Sequence, residues 1–112
     1  MKIGPIDLDK QVLVIAEVGN NHEGSFTLAQ ELVGLAAEAG ADAVKFQTIK
    51  AARLVRRSQG ERLERLRSFE LSAPQFEELA RQANEAGLIF LSTPFDPESV
   101  AIVDPLVPAF KV

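Results

Sequence analysis

The sequence contains no cysteine, so disulfides and thiolate metal sites are excluded within this chain, and a reducing compartment suits it. No apolar run approaches the ~20 residues of a membrane-spanning helix. Residues 1–10 lack the apolar core of a signal peptide. A soluble, cytoplasmic protein with no membrane partner is the expectation. Positive charge is not in excess either. The net charge of −4 weighs against nucleic acid as the main partner, while leaving room for a small anion held by a few local Lys or Arg. Histidine occurs once, at His22, and metal sites usually need several ligands. What remains is an ordinary soluble composition, 46% apolar and 25% charged over 112 residues, which argues for one folded domain and against disorder.

Residues Val12 to Val18 are apolar apart from Glu17 and rich in β-branched side chains. Such a run predicts a parallel strand buried on both faces. Gly19 to Gly24 supplies loop chemistry, and Ser25 caps a helix that runs to Ala39. Leu28, Leu32, Leu35, Ala36 and Ala39 recur at helical spacing, and Gly40 stands where a terminal glycine belongs. Ala43 to Ile49 is a second strand. A long segment from Lys50 to Leu71 follows. Ser72-Ala73-Pro74-Gln75 is a capping box with Pro in the first turn. The helix behind it buries Phe76, Leu79, Ala80 and Ala83 and stops at Gly87. Leu88 to Thr93 is a third strand. Asp96-Pro97-Glu98 opens a third helix, kept short by Pro105 and Pro108, and Ala109 to Val112 begins a fourth strand.

Strands alternating with helices give a parallel sheet with right-handed crossovers. An open doubly wound sheet and a barrel share this local order, and the strand interiors separate them. Side chains alternate along a strand. Leu13, Ile15 and Glu17 share one face, as do Ala43, Lys45 and Gln47, then Ile89, Leu91 and Thr93, then Ala109 and Lys111. Each strand thus turns apolar residues inward at its start and a polar one near its C-terminal end. The other face, with Val12, Val14, Val44, Phe46 and Phe90, stays apolar to meet helices. This is the pattern of a barrel with a packed interior and a polar mouth. The predicted fold is α/β: parallel βα repeats forming the first half, about four strands and three helices, of a TIM (β/α)8 barrel.

Glu17, Lys45, Gln47, Thr93 and Lys111 all fall at that mouth. A charge in a buried strand costs several kcal/mol unless paired. A satisfied polar plug is the competing reading. The functional one is an anion site, with two lysines for phosphate and carboxylate oxygens and hydrogen-bonding neighbours to fix orientation. The loop Gly19-Asn20-Asn21-His22-Glu23-Gly24 allows unusual backbone angles and close approach to a ligand, but matches no Walker pattern. Asn21 and His22 in it lie near the site, His22 as a hydrogen-bonding element in preference to a metal ligand. Asp96 is expected to cap its helix. The six arginines between Arg53 and Arg67 read as a solvated helical face, or as a mobile loop over an anionic substrate.

The stretches Ile15 to Ser25, Ala39 to Thr48, Phe90 to Asp96 and Ala109 to Val112 together resemble the N-terminal barrel of the N-acetylneuraminate (sialic acid) synthase family. The resemblance implies an enzyme that condenses phosphoenolpyruvate with N-acetylmannosamine or a related sugar, giving a nine-carbon sialic acid or analogue. The vinyl carbon attacks the open-chain aldehyde, water adds to the resulting cationic carbon, and phosphate leaves with C–O cleavage. Carried over by motif, Lys45, Thr93 and Lys111 bind phosphoenolpyruvate, Gln47 lies near the sugar, and Glu17 is the candidate catalytic residue. A divalent metal, manganese or magnesium, is implied, with its histidine ligands beyond residues 1–112 and none within them. The rest of the barrel and an antifreeze-like C-terminal domain are likewise expected outside this span. A half barrel would leave open edges and an uncovered inner face at Leu13, Ile15, Ile89 and Leu91. The isolated span is therefore expected to form a homo-oligomer or to be part of a longer protein, and, lacking the metal ligands and half the site, to be inactive by itself. Another phosphoenolpyruvate-dependent aldol-type synthase, or a non-catalytic oligomerising fragment, are the alternatives.

Overall fold

The chain opens on an element too short to show periodicity in sequence. In the computed structural model, which describes residues 1–112, β1 (Lys2–Ile3) and β2 (Ile6–Asp7) form an antiparallel hairpin. Then β3 (Ile15–Gly19), β4 (Ala43–Thr48) and β5 (Ile89–Pro94) make a parallel sheet in that order. Ile15, Ala16 and Glu17 pair with Ala43, Val44 and Lys45, and the register then shifts so that Gly19 faces Phe46. β4 pairs with β5 without interruption, from Ala43 opposite Ile89 to Thr48 opposite Pro94.

The helices start where their caps place them. The Ser25 hydroxyl accepts the Leu28 N–H at 3.1 Å and opens α1 (Phe26–Glu38). α2 (Ala51–Leu54) and α3 (Gly60–Ser68) occupy the arginine-rich segment, so it is helical and not an open loop. Leu63 is buried against Ala51 and Val55, and all six arginines are exposed, as expected of a solvated helical face. The capping box of Ser72 and Gln75 forms in both directions at the head of α4 (Ala73–Glu85). Phe76, Leu79, Ala80 and Ala83 are its buried residues, as the spacing predicts. Asp96 caps α5 (Pro97–Val103) by accepting the Ser99 N–H at 2.8 Å. One 3-10 turn, Asp104–Leu106, follows.

The main core lies between the outer face of the sheet and the α1–α4 pair. Val18, Val44, Phe46 and Phe90 meet Ala29, Val33, Phe76 and Leu79 there, and the Phe46 and Phe90 rings stack at 5.6 Å. A second, smaller cluster covers the inner face. Ile6 from the hairpin is buried with Ala43, Ile89 and Leu91, flanked by Ile3, Leu8 and Leu13.

Four expectations need correction. The first strand begins at Ile15, and Val12 and Val14 are exposed instead of meeting helices. The Val14 backbone turns to Asp42 instead, donating to its carboxylate at 2.8 Å. The inner face is not bare: the hairpin shields Ile89 and Leu91, and Ile15 is the exposed member of the predicted set. The buried stripe of α1 is Ala29, Val33 and Ala36, and Leu35 points to solvent. Small side chains on that stripe let α1 lie close to its neighbours, one of which, Gln82 of α4, donates to the Gln30 carbonyl at 2.9 Å. The fourth strand is a single bridge from Phe110 to Ser92. Pro108 before it has no N–H to extend a ladder.

Candidate active site

Parallel pairing brings three polar side chains from three strands to one place. Lys45 sits on the central strand, opposite Glu17 on one side and Leu91 on the other. Its ammonium is 2.8 Å from Glu17 Oε2 and donates to Thr93 Oγ1 at 3.0 Å. The two ends of the ion pair differ in environment, with the Lys45 side chain 9% exposed and that of Glu17 53% exposed. Beside them lies a cavity of about 300 Å³. Glu17, Lys45 and Lys111 supply its charge, and Ile15, Leu91 and Phe110 supply apolar wall. Lys111 is exposed and donates to the Val112 carbonyl oxygen. An apolar pocket with a few convergent charges is the usual form of a small-molecule site.

Gln47 stands one inward position beyond Lys45, paired with Thr93. Its Oε1 accepts from Asn20 Nδ2 at 2.8 Å. The register shift between Glu17 and Gly19 makes this possible, since it re-aims the end of β3. Gly19 has φ +56°, and a Cβ there would lie 3.3 Å from Glu17 Oε1 and 3.5 Å from Gln47 Nε2. A side chain at this position would be strained and would crowd both groups.

Asn21 and His22 go elsewhere. Asn21 Nδ2 returns to the Val18 carbonyl at 2.8 Å, closing the turn. His22 is buried, with its ring tilted at 6.1 Å from that of Phe46 on the outer face of the sheet. Its Nδ1 accepts the Gly24 N–H at 2.9 Å, and its Nε2 has no partner. Burial lowers its pKa below the ordinary 6.5. The loop needs glycine at Gly24 (φ +84°), where a Cβ would fall 1.9 Å from the Ser68 carbonyl oxygen.

Several site-shaping residues carry no clear sequence signal. Asn20, not Asn21, reaches Gln47, and two adjacent asparagines cannot be ranked by spacing. Thr48 and Ser92 share a buried hydroxyl hydrogen bond of 2.8 Å on the outer face. Asp96 is more than a cap: it also accepts the Ser99 hydroxyl at 2.8 Å and the Lys50 N–H at 3.2 Å, tying the end of β4 to the start of α5. Burial opposes its ionisation, but the hydrogen bonds from Ser99, Lys50 and Glu98 outweigh that and hold its pKa below the ordinary value.

The donor set does not suit a resident divalent cation. No group of three or more His, Cys, Asp or Glu side chains converges. The one carboxylate at the cavity, Glu17, already faces the Lys45 ammonium, which would repel a metal ion beside it.

Comparison with known proteins extends this picture. A model of the NeuB family matches residues 32–112. The N,N'-diacetyllegionaminic acid synthase of Campylobacter jejuni is 36% identical over 92% of this chain and 35% of its own length. The N-acetylneuraminate-9-phosphate synthase of Homo sapiens is 35% identical over 88% of this chain and 31% of its own. The crystal structure of the N-acetylneuraminic acid synthetase of Leptospira borgpetersenii, in complex with citrate, superposes with a TM-score of 0.79 at 28% identity. It covers 85% of this chain and 33% of that one. The chain spans about a third of the length of the curated relatives it matches.

Proposed function

We infer the function from one premise: this chain belongs to the NeuB family. Its parallel βα units match part of the TIM-barrel domain of that family. In such barrels the C-terminal strand ends carry the chemistry. We place residues 1–112 as the N-terminal part of the barrel, working in a protein that condenses phosphoenolpyruvate with an N-acetylated amino-sugar aldehyde. The product is a nine-carbon sialic acid or analogue, and inorganic phosphate is released. The observation that carries this reading is the meeting of Glu17, Lys45 and Thr93 beside a cavity that Lys111 also lines.

The roles follow from the chemistry of each group. Lys45 and Lys111 take the phosphate and carboxylate oxygens of phosphoenolpyruvate as charge-assisted hydrogen bonds. The Thr93 hydroxyl adds a directional contact. The buried Leu91 on one side of Lys45 lowers the local screening of its charge. The vinyl carbon of phosphoenolpyruvate then forms the new bond to the aldehyde carbon. Water adds to the former enol carbon, and the C–O bond to phosphate breaks. Glu17 lies within reach of the Lys45 site and is solvated enough to exchange protons, so it serves the aldehyde oxygen or an adjacent hydroxyl. Gln47 contacts the sugar. The manganese or magnesium ion implied for the family would be held by residues outside this chain.

The relatives are named for different sugars, so the acceptor is assigned here only by class. The test uses the intact protein that carries this chain. Phosphate release from phosphoenolpyruvate is measured over a panel of N-acetylated amino sugars. Lys45→Ala is expected to lower kcat/KM by about a hundredfold or more, the scale for removing one charge-stabilising group. Turnover of the variant at the wild-type level would remove Lys45 from the chemistry and with it this reading.

A further inference from the structure

We propose that Asn20 is a positioning residue that fixes which end of the Gln47 amide meets the substrate, and so makes this corner of the site a hydrogen-bond donor. The proposal rests on the reading above, in which Gln47 contacts the acceptor sugar. Asn20 itself touches neither substrate nor the reacting atoms.

An amide side chain has a donor end and an acceptor end of nearly equal size, and rotation by half a turn exchanges them. At Gln47 two contacts decide the choice. Asn20 Nδ2 donates to Gln47 Oε1 at 2.8 Å, so the oxygen is turned towards the loop. Gln47 Nε2 then points to the Glu17 side. Nε2 lies 3.5 Å, and Glu17 Oε1 3.3 Å, from the same point, where a Cβ on Gly19 would be. A donor turned towards the side that holds a carboxylate is favoured over an acceptor, though the two groups do not bond directly. The reversed amide would set an oxygen against it.

The reversed relay fails at the other end too. Asn20 Oδ1 is buried without a partner. If both amides turned over, the Asn20 nitrogen would take that place, and a buried N–H group would be orphaned instead of a carbonyl-type oxygen. Orphaned buried N–H groups are the rarer of the two in folded proteins. Both ends therefore favour one state, in which Gln47 presents N–H. The matching ligand atom is an acceptor, such as the oxygen of an acetamido carbonyl or of a sugar hydroxyl. A donor-only group there would meet two hydrogens face to face. The register shift at Gly19 serves this arrangement by bringing the loop residue Asn20 within reach of β4.

The discriminating variant is Asn20→Asp, which keeps size but can only accept at neutral pH. It forces Gln47 to turn its Nε2 towards residue 20 and show Oε1 to the ligand. In the intact protein, KM for the acceptor sugar is expected to rise about tenfold, the loss of roughly one well-placed hydrogen bond. KM for phosphoenolpyruvate, read at saturating sugar, is expected to stay within about twofold, because Lys45 and Thr93 are not touched. Equal rises in both KM values would mark a general structural effect and overturn the proposal.

A second measurement does not need turnover. In nitrogen-15 spectra of the intact protein, the Asn20 side-chain amide protons should be shifted downfield and protected from exchange. Gln47→Ala should abolish both effects while leaving the backbone spectrum in place. An Asn20 resonance indifferent to that change would overturn the relay. If the wild-type protein releases no phosphate with any sugar, the enzymatic reading falls, and the spectrum still decides whether Asn20 holds Gln47.

Discussion

The two faces of β4 perform opposite tasks with alternate residues of a single strand. Val44, Phe46 and Thr48 point outward and are fully buried, the first two under α1 and α4 and Thr48 against Ser92. Lys45 and Gln47 point inward and make polar bonds to groups from β3, β5 and the Gly19–Gly24 loop. The outer face gains stability by removing apolar area from water. The inner face spends part of that gain to keep a buried ammonium at the mouth. A strand can do both because its side-chain period is two, so neither set disturbs the other. The lesson is one of division: the contacts that hold the strand in place are not those that do chemistry, yet they set the position of the latter.

The largest expected effect tests that division directly. Phe46 is fully buried in contact range of the rings of Phe90 and His22. Phe46→Ala should cost about 3–5 kcal/mol, the range for deleting a core phenylalanine. Thermal denaturation of the chain should show Tm lowered by roughly 12 °C or more. Gln47→Ala, one residue along, should stay within about 1 kcal/mol, since it gives up one partly solvated hydrogen bond. Equal losses at the two positions would mean that the faces are not separable.

A middle-sized effect sharpens the inner face. The Glu17–Lys45 pair is asymmetric, with the cation buried and the anion half exposed. Glu17→Ala would strand a buried ammonium with only Thr93 as partner, at a cost of about 1–3 kcal/mol. Lys45→Met would instead leave an exposed carboxylate to water and place an apolar chain among Leu91 and Ile15, with a net change near zero. Urea denaturation of the two variants should therefore rank Glu17→Ala as the less stable. The reverse order would show that the pair acts as a surface ion pair and not as a shielded cation.

Much of this was legible in sequence because strand and helix periods are strong signals. The apolar run of β4 and β5, the capping box at Ser72 and the cap at Asp96 all formed as the residues imply. The inward parity of Glu17, Lys45 and Thr93 followed from alternation alone and from the parallel register. What escaped was set by contacts that have no period. Two-residue strands carry no repeat, so the hairpin that places Ile6 over Ile89 and Leu91 was missed, and the inner face looked bare. Which asparagine of the loop meets Gln47 depends on a bulge and on positive φ at Gly19, which a pattern of residue types does not resolve. The stripe of α1 slipped because leucines mark hydrophobicity, while close helix packing selected the smaller Ala29, Val33 and Ala36.

The smallest expected effect comes from a titratable residue on the outer face. His22 is polar but lies on the apolar side, against Phe46. Its Nδ1 accepts the Gly24 N–H, so the ring proton is on the partnerless Nε2 and the neutral form is the one that fits. Burial holds its pKa below 6.5 in the folded chain. An unfolded chain binds a proton at this residue as pH falls through about 6.5, while the folded chain resists until lower pH. Its contribution to stability is thus complete above that value and is lost progressively below it. Protonation would also oppose two N–H groups at Gly24 and loosen the loop that carries Asn20. Melting curves between pH 7.5 and 5 should show Tm falling by roughly a few degrees more in the wild type than in His22→Gln. Parallel pH profiles would mean that His22 titrates as freely as an exposed imidazole, and that the outer face tolerates charge after all.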